Sequence, residues 1–381
     1  MKTRVVAGLI LALALGAGCF SPANRSSNAV LIIRPMWKFS PGPGWISDPV
    51  ADGDHVYVLH HMLYGLMSLS GKELWEREVQ LPAADYHLPF VAAGGRVYFM
   101  AYDKHIHALD GGTGRELWRA GRVSSLLTAA GDAVFVLDPD QRLAVLDGAS
   151  GRVRCQTRIQ GEKESRLYIS NGRMFLVAPL VWRSLQVLDA RTFLPLWTFY
   201  GKAKESGIGA MPAGGFVYVD ADRAIHALEA SSGKEVWTRS TRSIPQALDA
   251  GRLYYTAQNT DSKYFVQALE PRTGAPLGTL QIEGANGLFP YGALAAGGGQ
   301  LYVPVDKSHD FLSGVTNSKD SALCAVDAAT GHKVWCSAWQ YEYLNVAVYK
   351  EGLVFISSTG EGSHSSALYG FRGAPPNSHT Q

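Results

Sequence analysis

The segment Leu109-Asp110-Gly111-Gly112-Thr113-Gly114-Arg115-Glu116-Leu117-Trp118 contains a pattern that recurs along the whole chain. An apolar run ends in an acidic residue, the chain turns through Thr and Gly, and an aromatic residue follows four positions after the Gly. The Asp carboxylate can cap such a turn, and the Gly can adopt the positive φ that it requires. Further copies with the same offset are Gly71/Trp75, Gly233/Trp237 and Gly331/Trp335, with weaker copies at Gly151/Cys155, Phe193/Trp197 and Gly274/Gly278.

A second marker, a Gly followed by a short apolar and aromatic run, begins each unit. It occurs at Gly53, Gly95, Gly131, Gly172, Gly215, Gly251, Gly299 and Gly352. Strand-like segments that repeat every forty residues or so are the signature of a β-propeller, in which each repeat is one four-stranded blade. The sequence therefore predicts an all-β fold, an eight-bladed propeller of antiparallel blades.

The two ends of the chain complete each other in this interpretation. The eighth unit stops at Phe371 without an outer strand, whereas Met36-Trp37-Lys38-Phe39 resembles the outer strands of the other units. We therefore predict that the N-terminal strand completes the last blade and closes the ring, because an open stack would leave strand edges free to pair with other chains. The propeller is expected at 36–372, followed by a disordered tail at 373–381.

The Trp residues of the repeat are predicted to pack between neighbouring blades, with each indole N–H available to a backbone carbonyl. A role in ligand binding is the less favoured interpretation of these side chains. The predicted blade-packing residues are Trp37, Trp75, Trp118, Trp197, Trp237 and Trp335.

The composition agrees with this fold and argues against one class of partner. The chain of 381 residues has 41 Gly and only 18% charged residues, which suits many tight turns around a large β core. Removal of an N-terminal leader with Lys2 and Arg4 brings the basic residues level with the 33 acidic ones. A neutral domain is not expected to bind nucleic acid, because that binding depends on an excess of Lys and Arg.

The first residues resemble an export signal. Lys2 and Arg4 precede the apolar run Val5–Leu15, which is too short to span a bilayer. Gly16-Ala17-Gly18-Cys19 resembles a bacterial lipobox, so 1–18 is predicted to be a signal peptide, Cys19 to be lipidated, and 19–35 to be a tether. Gly16 stands where the lipobox usually has Leu, and cleavage after Ala23 is the competing interpretation.

Two of the remaining cysteines flank a repeat turn. If Asp327 pairs with Lys333 across that turn, Cys324 lies opposite Cys336, and a disulfide can form in an oxidising compartment. Two small buried thiols are the alternative, because a bridge within an antiparallel pair is geometrically demanding. Cys155 stands at a repeat Trp position and is interpreted as a core substitution.

The histidines do not form a convincing metal site. His60 and His61 are adjacent, and neighbouring residues of a strand face opposite ways. His105 and His107 share a face, but the repeat position of His107 is variable: it is His226 in one other unit and Gln186, Gln267 and Cys324 in three more. The sequence therefore predicts no catalytic, cofactor-binding or metal-binding residues.

The phrases Ala108-Leu109-Asp110 through Trp118, Ala227-Leu228-Glu229 through Trp237, and Ala325-Val326-Asp327 through Trp335 resemble the pyrroloquinoline-quinone (PQQ) propeller repeat. The resemblance covers about 36–372. It implies the architecture, whereas the quinoprotein alcohol dehydrogenases with this repeat are longer and carry an adjacent Cys pair and a calcium site. This chain has neither, so no cofactor and no enzymatic activity are expected.

A lipobox-like leader followed by eight such repeats resembles the BamB family of outer-membrane β-barrel assembly scaffolds. The resemblance implies a monomeric, non-catalytic lipoprotein that faces the periplasm from the outer membrane, docks on the barrel-forming subunit and aids insertion of β-barrel proteins. No partner-binding motif of the family matches residue by residue. The insertion at 306–320 lengthens one interval between repeats and is predicted to project as a loop that could serve another partner.

Two other functions remain open from the sequence. One is an envelope propeller that binds another protein or a polysaccharide, and the other is an oxidoreductase that depends on a quinone or a metal.

Overall fold

The computed structural model describes residues 31–79, 90–162, 164–202, 207–241, 245–258, 264–280, 287–288, 294–306, 321–338 and 343–373. Within these ranges the regular elements are all β-strands. None of the described elements is an apolar helix of membrane-spanning length. The predicted signal peptide, Cys19, most of the 306–320 insertion and the tail after Gly373 lie outside the described residues.

Six blades follow the regular plan of four consecutive antiparallel strands. The first two strands of the chain, β1 (Leu31–Ile33) and β2 (Trp37–Gly44), precede these blades. Blade 1 comprises β3 (Val50–Asp52), β4 (His55–Leu59), β5 (Leu63–Met67) and β6 (Glu73–Arg77). Blade 2 comprises β7 (Phe90–Ala93), β8 (Arg96–Met100), β9 (His105–Asp110) and β10 (Glu116–Arg122). Blade 3 comprises β11 (Ser125–Ala130), β12 (Ala133–Leu137), β13 (Arg142–Asp147) and β14 (Val153–Arg158). Blade 4 comprises β15 (Arg166–Ser170), β16 (Arg173–Ala178), β17 (Ser184–Asp189) and β18 (Pro195–Tyr200). Blade 5 comprises β19 (Gly209–Ala213), β20 (Phe216–Ala221), β21 (Ala224–Glu229) and β22 (Glu235–Ser240). Blade 6 comprises β23 (Pro245–Asp249), β24 (Arg252–Gln258), β25 (Tyr264–Leu269) and β26 (Pro276–Leu280).

The last two blades depart from this plan. Blade 7 contains β27 (Gly287–Leu288) and β28 (Ala295–Gly297), which both pair with β29 (Gln300–Asp306), followed by β30 (Ser321–Asp327) and β31 (Lys333–Ser337). Blade 8 contains β32 (Tyr343–Lys350) and the long β33 (Leu353–Arg372), whose first part pairs with β32 and whose last part pairs with β2. The eight sheets confirm the predicted eight-bladed propeller.

The N-terminal chain closes the ring. Trp37 lies opposite Gly370, and Phe39 lies opposite Leu368 in an antiparallel pair, so β2 completes blade 8 as predicted. One segment differs from the expected tether at 19–35. Leu31–Ile33 forms β1, a parallel strand on the outer edge of blade 7, with Ile32 opposite Cys336. The chain therefore contacts two neighbouring blades before it enters blade 1.

The turns between the third and fourth strands share one hydrogen-bonding design. Asp110 accepts hydrogen bonds from the backbone N–H of Thr113 at 2.9 Å and from its hydroxyl at 2.7 Å. The Thr113 hydroxyl is the main group that holds the pKa of Asp110 below its usual value. Gly114 follows with a φ of 69°, which favours Gly. The same acidic and hydroxyl pairs recur as Asp147/Ser150, Asp189/Thr192, Glu229/Ser232, Glu270/Thr273 and Asp327/Thr330.

The repeat Trp side chains lie between blades. Trp118, for example, donates its indole N–H to the carbonyl of Gly148 in the next blade at 2.9 Å, and its ring covers Gly151. A Cβ on Gly151 would approach this ring to 2.6 Å, so a side chain does not fit there. Trp335 is 4% exposed and stacks on Phe371 of blade 8. The equivalent indole bonds are Trp37 to Ser68, Trp75 to Gly111, Trp197 to Ala230 and Trp237 to Pro271.

Two junctions lack the Trp. Between blades 3 and 4, Cys155 stands at the Trp position, and Phe193, with a φ of 59°, stands where other blades have Gly. Both side chains pack in the same apolar cluster. Between blades 6 and 7, Gly278 replaces the Trp, and Leu280 covers Gly331 instead.

Candidate protein-binding face

The strand order gives the propeller two different faces. On one, which we call the turn face, the tight turns join the first strand to the second and the third to the fourth within each blade. On the other, the loop face, loops join the second strand to the third, and connections lead to the next blade. Binding residues are found disproportionately on loops that a rigid scaffold positions. The loop face is therefore the first place to look for a binding site.

One loop on this face is apolar and exposed. We call 179–183, which joins β16 to β17, the blade-4 loop. Its residues Leu180, Val181 and Trp182 are 59%, 75% and 46% exposed. Three consecutive large apolar side chains in water are an unfavourable arrangement for an isolated surface, and such patches mark interaction sites.

A buried carboxylate holds the blade-4 loop in shape. Glu162, which is 7% exposed, accepts hydrogen bonds from the backbone N–H groups of Leu180 at 2.5 Å and Val181 at 2.7 Å. The backbone N–H of Glu162 in turn donates to the hydroxyl of Ser165 at 2.9 Å. Because hydrogen bonds to a charged carboxylate are the stronger kind, the loop is fixed with its apolar side chains outward.

In blades 2, 3 and 5 the equivalent loops carry acidic residues that accept hydrogen bonds. In blade 3, Asp138 accepts a hydrogen bond from the Arg142 guanidinium at 2.7 Å, and in blade 2 Asp103 accepts one from the backbone N–H of His105 at 2.9 Å. The blade-5 loop carries Asp222, which accepts the backbone N–H of Lys202 at 2.8 Å. In blades 2 and 3 the acidic residue binds its own loop or the strand that follows, and Asp222 in blade 5 binds the backbone before the blade. In blade 4 the arrangement is reversed, because the loop donates its backbone N–H groups to Glu162 outside it.

Blade 4 as a whole carries an unusual share of exposed apolar surface. It contributes eight of the nineteen large apolar side chains that are exposed in the described part of the chain. The concentration around one blade distinguishes it from apolar residues scattered singly, which need no explanation. These eight are Tyr168, Ile169, Leu180, Val181, Trp182, Leu194, Leu196 and Tyr200.

His107 and His226 occupy equivalent positions in blades 2 and 5, as the repeat indicated. The Nδ1 atom of His226 lies 2.8 Å from a carboxylate oxygen of Glu235, and that of His107 lies 3.4 Å from Glu116. The His107 ring stacks on Phe99 at 5.2 Å between the ring centres. Among the described residues, no group of three or more His, Cys, Asp or Glu side chains is placed to hold a metal ion.

The structure contradicts the expectation that His60 and His61 face opposite ways. The strand β4 ends at Leu59, so both histidines lie in a bend, where the alternation of a strand does not apply. Their ring centres are 4.3 Å apart. Burial and the neighbouring His61 hold the pKa of His60 below its usual value.

The remaining sequence-predicted residues are placed as follows. Cys324 lies opposite Cys336, and the two are joined by a disulfide bond in the structure. The register that achieves this differs from the assumed one, because Lys333 pairs with Val326 and a bulge separates that pair from the next. Cys155 is a free, partly buried thiol that packs against the core, and burial raises its pKa. The structure does not describe Cys19 or 307–320.

Sequence reasoning missed the blade-4 loop. The run Leu180-Val181-Trp182 reads as an ordinary apolar strand segment, because exposure depends on where β16 ends. The one available signal was Pro179, which interrupts strand pairing.

Comparison with known proteins was informative at the level of families and folds. A family model described as outer membrane protein assembly factor BamB matches residues 34–167, 114–206 and 181–305. No curated protein matches the chain.

Three solved structures illustrate the range of similar folds. BamB from Moraxella catarrhalis has 14% sequence identity and a TM-score of 0.59, covering 89% of this chain and 100% of that one. The computationally designed protein Ika8 has 16% identity and a TM-score of 0.60, with 87% and 98% covered. Quinohemoprotein alcohol dehydrogenase from Comamonas testosteroni has 12% identity and a TM-score of 0.61, with 91% and 78% covered. Likeness at these identities concerns the fold, which serves unrelated functions.

Proposed function

The chain belongs to the family of the outer membrane protein assembly factor BamB, and we propose that it is a non-catalytic scaffold that binds a protein partner in outer-membrane assembly. The blade-4 loop is the observation that carries this proposal. It offers three exposed apolar side chains on a backbone that is already ordered by Glu162. A pre-ordered surface loses little conformational freedom on binding, which favours affinity.

The apolar side chains of the blade-4 loop are expected to contribute substantially to the free energy of binding. Complete burial of a large apolar side chain contributes roughly 1.5–3 kcal/mol, and Trp is the residue most often found at the energetic centre of protein interfaces. We therefore place Trp182 and Val181 at the centre of the contact. The partner that we propose is the barrel-forming subunit of the outer-membrane assembly machine.

We further propose an envelope location with a lipid anchor at Cys19, facing the periplasm from the outer membrane. The lipobox-like sequence supports the anchor, and family membership supports the location. Each methylene of an acyl chain that enters the membrane contributes about 0.8 kcal/mol, so several chains on one Cys would hold the domain firmly. Radiolabelled palmitate should label the protein, and Cys19→Ala should abolish the label and release the protein from membranes.

Catalysis with a quinone is the competing function, because dehydrogenases share the fold. The chain lacks the adjacent Cys pair that the resemblance to those enzymes would require, and two of its four cysteines are joined to each other in blade 7. We propose that the protein is not an enzyme. Addition of PQQ and Ca²⁺ to the purified protein should produce no bound quinone absorbance and no reduction of an artificial electron acceptor by alcohols.

Crosslinking in intact envelopes tests the scaffold proposal. The protein is captured after crosslinking, and its partners are identified by mass spectrometry. The barrel-forming subunit should be recovered with the native chain and at least tenfold less with Val181→Asp. Val153→Asp is the matched control, because Val153 is also an exposed valine but lies on the outer strand of blade 3.

The result that overturns the proposal is equally concrete. Recovery of other partners and never of the barrel-forming subunit would remove the assigned role, while equal recovery with both Asp variants would remove the assigned surface. Glu162→Gln sharpens the second point, because it weakens the two backbone hydrogen bonds without changing the apolar side chains.

A further inference from the structure

A cavity opens on the turn face where blade 8 meets blade 1. Its volume is about 380 Å³, which is within the range of small-molecule sites. Leu353 and the buried Phe355 of β33 supply an apolar part of its lining. Lys350, at the end of β32, and Arg372, at the end of β33, also line it and are positively charged. Because the blade-4 loop lies on the opposite face, this cavity is independent of the proposed protein-binding surface.

Two other junctions of the ring hold a carboxylate at the equivalent position. In blade 1 the residue before the turn between the first two strands is Asp52, which accepts a hydrogen bond from the backbone N–H of Gly95 in blade 2 at 2.8 Å. In blade 6 the same position is Asp249, which accepts one from the backbone N–H of Gly299 in blade 7 at 3.0 Å. A carboxylate of one blade thus binds the turn of the next.

Blade 8 has a cation where blades 1 and 6 have this carboxylate. Lys350 is the residue before the turn, since it pairs with Leu353 across it. The corresponding N–H in the next blade is that of Asp54, which lines the cavity. Among the described residues, that N–H has no hydrogen-bond partner. The cavity therefore offers a donor and a positive charge at the place where the chain supplies no carboxylate of its own.

A second difference in blade 8 enlarges the space. Phe355 stands where Tyr98 stands in blade 2, and the Tyr98 hydroxyl donates to the carbonyl of Gly148 in the next blade at 3.2 Å. The corresponding carbonyl in blade 1 is that of Ser68, which accepts the indole N–H of Trp37 at 2.9 Å. Because Phe has no hydroxyl, the place beside Ser68 that a tyrosine would fill belongs to the cavity.

The acidic side chains of the lining limit the charge of a ligand. An oxygen of Glu351 is 3.4 Å from the Lys350 ammonium, but these side chains are 67% and 40% exposed, and such surface pairs contribute little. A ligand carboxylate can therefore replace Glu351 as the partner of Lys350. The carboxylates of Asp54 and Glu351 balance the two cations, so a monoanion suits the cavity better than a polyanion.

We propose that this cavity binds an organic monocarboxylate with an apolar body. The carboxylate accepts the backbone N–H of Asp54 and pairs with Lys350, in the manner of Asp52 and Asp249, while the apolar body packs against Phe355. A small free acid and an acidic side chain of a peptide share this chemistry. Because the ligand contacts the first and the last blade, its binding stabilises the closed ring.

Titration of the full chain with phenylacetate, followed by calorimetry and ligand-observed NMR, tests the proposal. One molecule should bind per chain and raise the unfolding midpoint. Phenylacetamide, which has a similar shape but no charge, should bind about tenfold more weakly, because hydrogen bonds to a charged group are the stronger kind. Lys350→Met should weaken the binding of phenylacetate by a similar factor. Lys234→Met is the matched control, since Lys234 is exposed beside a turn on the turn face of blade 5.

A variant that fills the cavity gives an independent test. Phe355→Tyr should place a hydroxyl beside the Ser68 carbonyl, as Tyr98 does beside Gly148, and abolish binding while the unfolding midpoint without ligand is retained. Tighter binding of phenylacetate than of N-acetyl-aspartyl-phenylalaninamide would assign the site to a free acid, and the reverse order to a peptide. Absence of saturable binding of both probes, or equal affinity in the native chain and Lys350→Met, would overturn the site.

Discussion

The junction between blades 2 and 3 and the junction between blades 3 and 4 solve the same packing problem with different chemistry. At the first, the carbonyl of Gly148 accepts two hydrogen bonds, from Trp118 at 2.9 Å and from the hydroxyl of Tyr98 at 3.2 Å. At the second, Cys155 and Phe135 occupy the corresponding positions, and neither has a comparable donor. The second junction is therefore held by apolar packing.

The difference shows that the Trp and the Gly of the repeat form one unit shared between two blades. Where Trp118 fills the gap from one side, the other side is Gly151, which has no room for a side chain. Where the Trp shrinks to Cys155, the other side grows to Phe193 and fills the gap from the opposite direction. Phe193 retains the positive φ of the Gly it replaces, so the turn geometry is kept at some cost in strain.

The largest expected effect on stability comes from removing the aromatic ring of Trp118 from the junction between blades 2 and 3. Trp118→Ala should lower the free energy of unfolding by about 3–5 kcal/mol, because it leaves a cavity between the blades and removes one of the two hydrogen bonds to the Gly148 carbonyl. Cys155→Ala at the equivalent position should cost about 1 kcal/mol, since only a small side chain is lost. Urea unfolding followed by Trp fluorescence and circular dichroism measures both. Equal losses would show that the two junctions do not differ as described.

A double-mutant cycle at the second junction tests whether Cys155 and Phe193 compensate for each other. Cys155→Trp alone should be destabilising because Phe193 occupies the space, and Phe193→Gly alone should leave a cavity. The double variant should recover stability, with a coupling free energy of about 1–3 kcal/mol. Simple additivity of the two single changes, measured in the same urea experiments, would refute the compensation.

A third test concerns charge at another junction. Asp220 lies on the same face of β20 as Tyr218, towards blade 6, and burial raises its pKa to about 6, although His226 opposes this shift. Because the folded state binds this proton more tightly than the unfolded chain does, the free energy of unfolding should fall as the pH rises from 4 to 7. The fall should be about 1–2 kcal/mol after allowance for solvent screening.

The matched change is Asp220→Asn, which should remove the fall and leave the stability at pH 4 nearly unchanged. The pKa of Asp147, beside the junction of blades 2 and 3, is shifted in the opposite direction, because hydrogen bonds from Arg154 hold it at about 2. Its contribution should be lost only as the pH falls below 4. A pH profile that is identical for the native chain and Asp220→Asn would contradict the assignment.

The smallest expected effect is a difference in stability between variants of two tyrosines. Tyr98 and Tyr254 each donate a hydrogen bond to a backbone carbonyl of the next blade. The acceptor for Tyr98, the carbonyl of Gly148, also accepts a hydrogen bond from Trp118. Beside Tyr254 the Trp position is occupied by Gly278, which has no side chain to donate a second one. Tyr254→Phe should therefore cost about 1–1.5 kcal/mol, and Tyr98→Phe roughly half as much. Thermal unfolding of the two variants side by side is sufficient, and a larger loss for Tyr98→Phe would contradict the account.

Most of the fold could be predicted from the sequence, because the repeat combines turn chemistry with a fixed aromatic offset. Asp110, Thr113, Gly114 and Trp118 each have a local reason for their identity, so their pattern indicates blade number and ring closure. The strand Leu31–Ile33 could not be predicted, since it depends on an edge of blade 7 distant in sequence. The convergence of His60 and His61 was missed because strand β4 ends one residue before them.

The position of β1 has a mechanical consequence. A pull on the chain from its N-terminal side reaches the three-residue parallel pairing with blade 7 before it reaches Trp37 and the ring closure. Detachment of that short strand would add about 10 Å of free chain before Trp37, at roughly 3.3 Å per residue, while the eight blades stay closed. Tension on the N-terminal chain would therefore break the pairing of Leu31–Ile33 before it reached the strand that closes the ring.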